Sequence, residues 1–225
     1  MAEIYPHPKM NFRQWVENFW YHYRWQFIFC VIAASFILIA AFQFAFRKTP
    51  DASFLYVGSF APGENTCKAL VASAEERIAE DYNGDGRIKA DIRTILLSDD
   101  LDLLSRREQI EANKAFQRYS QEILAGDDCF LLLSPYFYDE LEASGALVSL
   151  YEIYGFWPEI AEMYSGFPLK DTPLGKMEGF SDFPDDTVIC LKYAGGVGDD
   201  MTADQREEAN LVNARIFRDL CSGTF

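Results

Sequence analysis

Histidine is almost absent from this sequence of 225 residues. The two histidines, His7 and His22, both precede residue 25. The longer part of the chain therefore has no histidine for a Ser-His-Asp triad, a general base or a metal site. Gly-x-Ser-x-Gly, Walker-type and Gly-x-Gly-x-x-Gly motifs are missing after the predicted strands. We expect a protein that is not an enzyme and needs no cofactor. A carboxylate-pair enzyme is the third-ranked alternative, because carboxylates are abundant.

The five cysteines have no Cys-x-x-Cys spacing. Cys30 lies in an apolar run, and the other four are scattered along the rest of the chain: Cys67, Cys129, Cys190 and Cys221. This distribution excludes a disulfide scaffold and a zinc site of the usual spacing. We expect buried free thiols.

Positive charge is scarce, with 20 Lys and Arg against 35 Asp and Glu. Residues 1–48 have a net charge of +3, so residues 49–225 have a net charge of −18 within the total of −15. A domain with this charge repels nucleic-acid phosphates. The sequence therefore predicts no nucleic acid among the partners.

A long apolar run occupies residues 25–46, and residues 27–46 are 20 residues without a formal charge. About 20 helical residues cover the hydrocarbon core of a bilayer, roughly 30 Å thick. Arg24 precedes the run, and Arg47 and Lys48 follow it. The run predicts one transmembrane helix of a single-pass cell-membrane protein. A cleaved signal peptide is disfavoured by the length of the run and of the segment before it.

The segment before the apolar run has an aromatic stripe at helical spacing, formed by Phe12, Trp15, Val16, Phe19, Trp20 and Tyr23. We expect residues 1–24 to form a cytoplasmic or interfacial amphipathic segment that contacts membrane lipid. The predicted membrane-interface residues are Trp15, Phe19, Trp20, Tyr23 and Trp25. The alternative is that the stripe packs on a membrane helix of a partner protein.

The Lys and Arg residues that flank the apolar run indicate its orientation. Three precede the run and two follow it. The positive-inside rule then predicts a cytoplasmic N-terminus and a main domain outside the cell. We expect a linker at residues 47–51 and an extracytoplasmic domain at residues 52–225.

Strand and helix patterns alternate after the linker, which predicts an α/β fold with a mainly parallel sheet and helices on both faces. The predicted order of the first three strands is 2-1-3, with the first and third as adjacent central strands. Residues 151–186 give no clear pattern. The predicted strands are Phe54–Gly58, Ile88–Leu96, Cys129–Leu133, Ala146–Leu150 and Thr187–Tyr193, and the helices include Tyr136–Ala143 and one capped by Thr202.

The motif at residues 81–86, Asp-Tyr-Asn-Gly-Asp-Gly, matches the first half of a calcium-binding loop. Asp81, Asn83 and Asp85 would supply oxygen ligands, but the position for the bidentate Glu is Ile92. The preferred interpretation is a turn that ends a helix and leads into the second strand, with any calcium bound weakly. At residues 156–158, Phe-Trp-Pro is either buried packing, which is commoner, or an exposed anchor for a partner.

Several segments resemble one lobe of the bacterial extracellular solute-binding proteins, which have the periplasmic-binding-protein-like fold. The resemblance lies in FLYVG, in DYNGDGRIKADI and in QEILAGDDCFLLLSPYFYDELEASGALVSLYE. Leu124–Asp128, Phe130–Leu133 and Gly145–Leu150 occupy the places of the family's strand and closing turn. The resemblance covers roughly residues 52–150 and implies a single α/β lobe.

The part of the chain after the apolar run is long enough for only one such lobe, whereas the family closes two lobes over its ligand. One lobe lacks the second wall that excludes water from a small ligand, so no ligand-contacting residue is carried over. The leading hypothesis is a membrane-anchored, non-enzymatic binding module of the cell envelope with a protein partner in the envelope or membrane. The alternative, implied by the resemblance alone, is a reduced solute-binding component of an ABC-type transporter.

Overall fold

The computed structural model describes residues 11–45, 50–98, 106–125, 128–159, 161–196 and 200–221. The chain divides into two compact units, Met1–Lys48 and Thr49–Phe225. Most of the predicted linker at residues 47–51 lies outside the described residues.

The first unit contains one unbroken helix, α1, at Phe12–Ala45. Its 34 residues correspond to a length of about 51 Å. Within the described part of the chain, α1 is the helix long and apolar enough to cross a membrane. The sequence predicts a border near Arg24 between an amphipathic segment and the span, but the helix continues through it.

The second unit contains a single five-stranded sheet among the described residues, with strand order β2-β1-β3-β5-β4. The predicted 2-1-3 order of the first three strands is confirmed, and β1 pairs in parallel with both neighbours. The elements are β1 Ala52–Gly58, α2 Glu64–Arg77, β2 Ala90–Leu96, α3 Arg106–Ala125, β3 Phe130–Leu133, α4 Pro135–Ser144, α5 Leu150–Tyr154, β4 Gly166–Pro168, β5 Val188–Leu191 and α6 Ala203–Cys221. Short 3-10 turns occur at Leu169–Asp171 and Leu174–Lys176.

Helices cover both faces of the sheet, as predicted. Strand residues alternate between the faces because successive side chains point in opposite directions. Phe54 and Tyr56 of β1 pack on one side with residues of α2, α5 and α6. Leu55 and Val57 pack on the other side with residues of α3 and α4. Each face of β1, β3 and β5 is therefore buried, which explains their continuous apolar runs.

The prediction of a mainly parallel sheet is wrong, because the sheet is mixed. β5 pairs antiparallel with β3, and β4 pairs antiparallel with β5. A strand buried on both faces has the same apolar pattern in either direction, so the sequence of β5 does not reveal its direction. Residues 151–186, which have no clear sequence pattern, lie in the connection between β3 and β5.

The predicted strand at Ala146–Leu150 is also wrong. This segment makes one isolated antiparallel bridge, between Leu147 and Lys192. Ser149 then caps α5, because its hydroxyl accepts a hydrogen bond from the N–H of Glu152 at 3.2 Å. The apolar residues here are buried as predicted, but the serine cap starts a helix after Leu147 and Val148.

Thr202 caps α6 as predicted. Its hydroxyl accepts a hydrogen bond from the Gln205 N–H at 3.3 Å, and the Gln205 side chain accepts one from the Thr202 N–H at 2.8 Å. This reciprocal pair is a capping box, which satisfies two backbone donors at the start of the helix.

Candidate functional sites

The three residues of the predicted calcium motif lie in one turn between α2 and β2. The carboxylate of Asp81 accepts hydrogen bonds from the N–H groups of Gly84 at 2.8 Å and Gly86 at 2.6 Å. Asn83 Oδ1 accepts one from Asp85 N–H at 2.9 Å, and Asp85 Oδ1 accepts one from Arg87 N–H at 3.0 Å. Each side chain therefore stabilises the backbone of the turn, as Asp and Asn side chains commonly do.

A fourth carboxylate, which the sequence did not single out, holds this turn on the sheet. Asp51 is buried just before β1. Its Oδ1 accepts hydrogen bonds from the backbone N–H groups of Tyr82 and Asn83, both at 3.0 Å. Its Oδ2 accepts one from the backbone N–H of Lys89 at 2.9 Å. Asp51 thus joins the start of β1 to both ends of the turn.

Tyr82 fastens the same turn to α6. Its hydroxyl donates a hydrogen bond to Asp219 Oδ2 at 2.9 Å. Burial, followed by this hydrogen bond and the charge of Asp219, raises the pKa of Tyr82 to about 12. The phenol is therefore protonated at neutral pH and remains a hydrogen-bond donor.

Calcium binding at Asp81, Asn83 and Asp85 stays a prediction. Ca²⁺ takes six to eight oxygen ligands, and these residues supply three side chains. In the described ranges, no group of three or more His, Cys, Asp or Glu side chains has an arrangement that could hold a metal ion. The hydrogen bonds of the turn account for the side chains without a metal.

We expect calcium to have little effect on the stability of the full chain in detergent. Millimolar calcium should raise the melting temperature only slightly relative to chelator, because the ligand set is incomplete. Asp85→Ala should cost about 0.5–1 kcal/mol with and without calcium, because it removes one exposed side chain–backbone hydrogen bond. A large rise at micromolar calcium that Asp85→Ala abolishes would instead identify a true calcium site.

The parallel strands β1 and β3 end on the same side of the sheet, which we call its carboxyl edge. This carboxyl edge forms a second candidate site. Val57 of β1 lies opposite Leu133 of β3 at this edge. After these strands the chain continues into α2 on one face and α4 on the other. Such a switch point is where open α/β sheets generally bind ligands. The loop after β1 is held by the Phe60 N–H, which donates to Tyr56 Oη at 3.1 Å.

The third candidate site is a group of exposed rings on α5 and on the segment between α5 and β4. We call it the aromatic patch, and it consists of Tyr151, Trp157 and Tyr164. The ring centroids of Tyr151 and Trp157 are 6.3 Å apart, and those of Trp157 and Tyr164 are 5.4 Å apart. Trp157 is 49% exposed and Tyr164 is 59% exposed. Phe156 beside them is 53% exposed, so the rings of Phe156 and Trp157 are not core packing.

Backbone hydrogen bonds fix the two ends of the segment that carries the aromatic patch. The N–H of Leu150 donates to the carbonyl of Tyr164 at 3.0 Å, and the N–H of Gly155 donates to the carbonyl of Tyr151 at 2.8 Å. Gly155 ends α5 with φ 78°, a left-handed conformation that glycine adopts at low cost. The backbone that flanks the rings is therefore hydrogen-bonded at Leu150, Gly155 and Tyr164.

A groove runs beside the aromatic patch, between α5 and α6, with a volume of about 410 Å³. We call it the α5–α6 groove. Its apolar wall includes Val148 and Leu211, and its carboxylates are Glu152 and Glu207. Tyr193 donates from its hydroxyl to Glu152 Oε2 at 2.6 Å. Burial and then this hydrogen bond raise the pKa of Tyr193 to about 12, so it also remains a donor at neutral pH.

The predicted membrane-interface residues all lie on α1, but on different sides of it. Trp15, Phe19 and Tyr23 form a ladder of stacked rings with centroid distances of 5.6 Å at each step. Phe19 and Trp20 both contact Phe27, with centroid distances of 6.0 Å and 6.2 Å. The guanidinium carbon of Arg24 lies over the ring of Trp25, 5.8 Å from the ring centroid.

Sequence reasoning missed the aromatic patch as a surface and missed Asp51. The only signal for the patch was the sequence Phe-Trp-Pro, which is equally compatible with burial. Asp51 had no local signal, because its hydrogen-bond partners lie 31 to 38 positions away. The expected burial of free thiols is confirmed for Cys129, Cys190 and Cys221, whereas Cys67 is partly exposed.

No protein-family model, curated protein or solved structure matches this chain.

Proposed function

We infer that the chain is a membrane-anchored, non-enzymatic interaction module of the cell envelope. Its second unit binds a protein partner, and the observation that carries this proposal is the aromatic patch. Tyr and Trp are enriched among residues that dominate binding energy, because they bury large areas with few rotatable bonds. Exposed rings in mutual contact, with hydrogen-bonded backbone on either side of Trp157, therefore favour a binding surface.

The anchor in this proposal is α1, which is long and apolar enough to cross a bilayer. Membrane lipid would then surround its apolar part, with the aromatic residues near Arg24 at the headgroup level. The balance of Lys and Arg supports a cytoplasmic N-terminus, with the second unit outside. Its charge of −18 argues against nucleic acid as the partner.

The test is site-specific photo-crosslinking in intact cells of the natural source, in which a variant replaces the natural chain. Glu159→Cys places a thiol on an exposed residue beside Trp157. The background carries Cys30→Ser and Cys67→Ser, since the other three cysteines are buried. A membrane-impermeant maleimide with a benzophenone group should label this thiol from outside. Irradiation should then produce one discrete adduct, because the partner covers the patch.

The matched control is Glu178→Cys, an exposed position in another loop. It should be labelled equally but give no adduct. Adding Trp157→Ala to Glu159→Cys should leave labelling unchanged and remove the adduct. Absence of labelling at both positions would contradict the proposed orientation. Labelling without an adduct, or an adduct that survives Trp157→Ala, would contradict the binding surface.

A reduced solute-binding component of an ABC-type transporter is the second candidate. It rests on the resemblance to solute-binding lobes, and the switch point between β1 and β3 favours it. In that case the functional contacts lie at the carboxyl edge of the sheet. Asn65→Cys, in the exposed first turn of α2 at this edge, should then give the adduct in place of Glu159→Cys.

A further inference from the structure

The chain segment that carries the aromatic patch has charge of one sign. Residues 150–169 include Glu152, Glu159 and Glu162 and contain no Lys or Arg. All three glutamates are exposed. Three carboxylates around exposed rings create a negative potential at the surface that the partner must approach, and the net charge of the unit adds to it.

The rings and the carboxylates attract the same kind of group. The faces of Trp and Tyr rings carry negative electrostatic potential and bind ammonium or guanidinium groups, with Trp the strongest. Arg guanidinium also stacks on aromatic rings, and it pairs with carboxylates through two parallel hydrogen bonds. Trp157 lies two positions before Glu159 in the sequence, so one cationic side chain can contact both types of group.

The α5–α6 groove gives a further place for such a side chain. Its apolar residues can pack against the aliphatic stem of a Lys or Arg, while Glu152 and Glu207 are close to the charged end. Arg206 also lines this groove. The cationic end is therefore expected on the Glu152 side of the groove, which adjoins Tyr151 of the aromatic patch.

We propose that the partner of the aromatic patch is a protein segment rich in Arg and Lys, which lies across Trp157 and Tyr164 and extends toward the α5–α6 groove. This inference rests on the proposed function and adds the chemistry of the partner. Charge complementarity selects this occupant. A second copy of the same face would bring like charges together, and an anionic lipid surface would be repelled in the same way.

The test uses the full chain in nanodiscs of zwitterionic phosphatidylcholine and a fluorescein-labelled peptide of six Arg-Gly repeats. Fluorescence anisotropy should show binding that weakens as salt increases from low to high concentration. Peptides of six Ser-Gly or six Glu-Gly repeats should bind at least about tenfold more weakly, because they lack the cation.

Two charge-matched double variants separate a local surface from the overall negative charge. Glu159→Gln with Glu162→Gln should weaken Arg-Gly binding about tenfold. Asp185→Asn with Asp186→Asn removes the same charge at exposed positions just before β5. The groove beside the patch instead includes Tyr193, which lies beyond the other end of that strand. This control should change affinity less than about twofold. Trp157→Ala should weaken Arg-Gly binding more than binding of a Lys-Gly peptide, because Arg also stacks.

Equal losses from the two double variants would overturn the inference, because binding would follow total charge alone. Absence of Arg-Gly binding would also overturn it. Equal binding of Ser-Gly and Arg-Gly peptides that Trp157→Ala removes would overturn the cationic partner but support the patch as a binding surface. The crosslinking experiment in cells is independent of these peptides, so the proposed function can stand when this inference fails.

Discussion

Gly179→Ala is expected to destabilise the second unit by about 4 kcal/mol or more. Gly179 has φ 86°, and an added Cβ would lie 2.2 Å from the backbone nitrogen of Leu70 and 2.7 Å from its Cα. Leu70 belongs to α2, so a helix backbone must move to make room. The next residue, Phe180, is buried against Phe54, and its displacement would open the core. Urea denaturation of the full chain in detergent, monitored by circular dichroism, measures the loss in the free energy of unfolding.

Gly145→Ala is the matched control for this prediction. Gly145 also has positive φ, 73°, but an added Cβ there has no heavy atom within 4 Å. It should therefore cost only the left-handed conformation, about 1–2 kcal/mol. If the two variants lose the same free energy of unfolding, the close approach of Gly179 to α2 has no energetic importance.

Asp51→Ala is expected to cost about 3–5 kcal/mol, because three partly buried N–H groups lose their acceptor together. Asp51→Asn should cost less, since the amide oxygen still accepts while the NH₂ group cannot. The same denaturation experiment applies. Hydrogen exchange at the amides of Tyr82, Asn83 and Lys89 should become faster in both variants.

Asp81→Ala provides the comparison for Asp51. Asp81 also accepts two N–H groups, but those donors are exposed to water. Water can replace the lost acceptor there, so the expected cost is only about 1–2 kcal/mol. A loss from Asp81→Ala as large as that from Asp51→Ala would show that the turn, rather than its attachment to the sheet, limits stability.

The strands and their local order were predictable because their patterns come from short stretches of sequence. FLYVG and CFLLL are apolar runs flanked by polar or small residues, and residues 88–96 alternate as a half-exposed strand does. β1, β2 and β3 agree with these predictions within about two residues at each end, whereas β4 was not predicted. Strand direction at β5 and the helix at Leu150–Tyr154 were not predictable in this way. They depend on the path of residues 134–187 and on one serine cap.

The candidate sites were less predictable than the fold because each depends on contacts between distant residues or on exposure. The turn at Asp81–Gly86 is formed by local contacts, and the sequence predicted the turn. The attachment of that turn through Asp51 joins residues far apart in the chain. The exposure of Trp157 depends on what packs beside it, and apolar composition gives no information about that. Long-range packing therefore determines which side chains are available for binding.

The position of β1 determines how the second unit would respond to mechanical force. The chain enters this unit at β1, and β1 is paired in parallel on both sides, with β2 along seven residues and with β3 along four. Tension applied at its N-terminal end would load both rows of hydrogen bonds in shear, so that many bonds must break together. A tether attached to an edge strand would instead peel its bonds one at a time. A domain tethered through such a central strand is expected to remain folded under larger forces than one tethered through an edge strand.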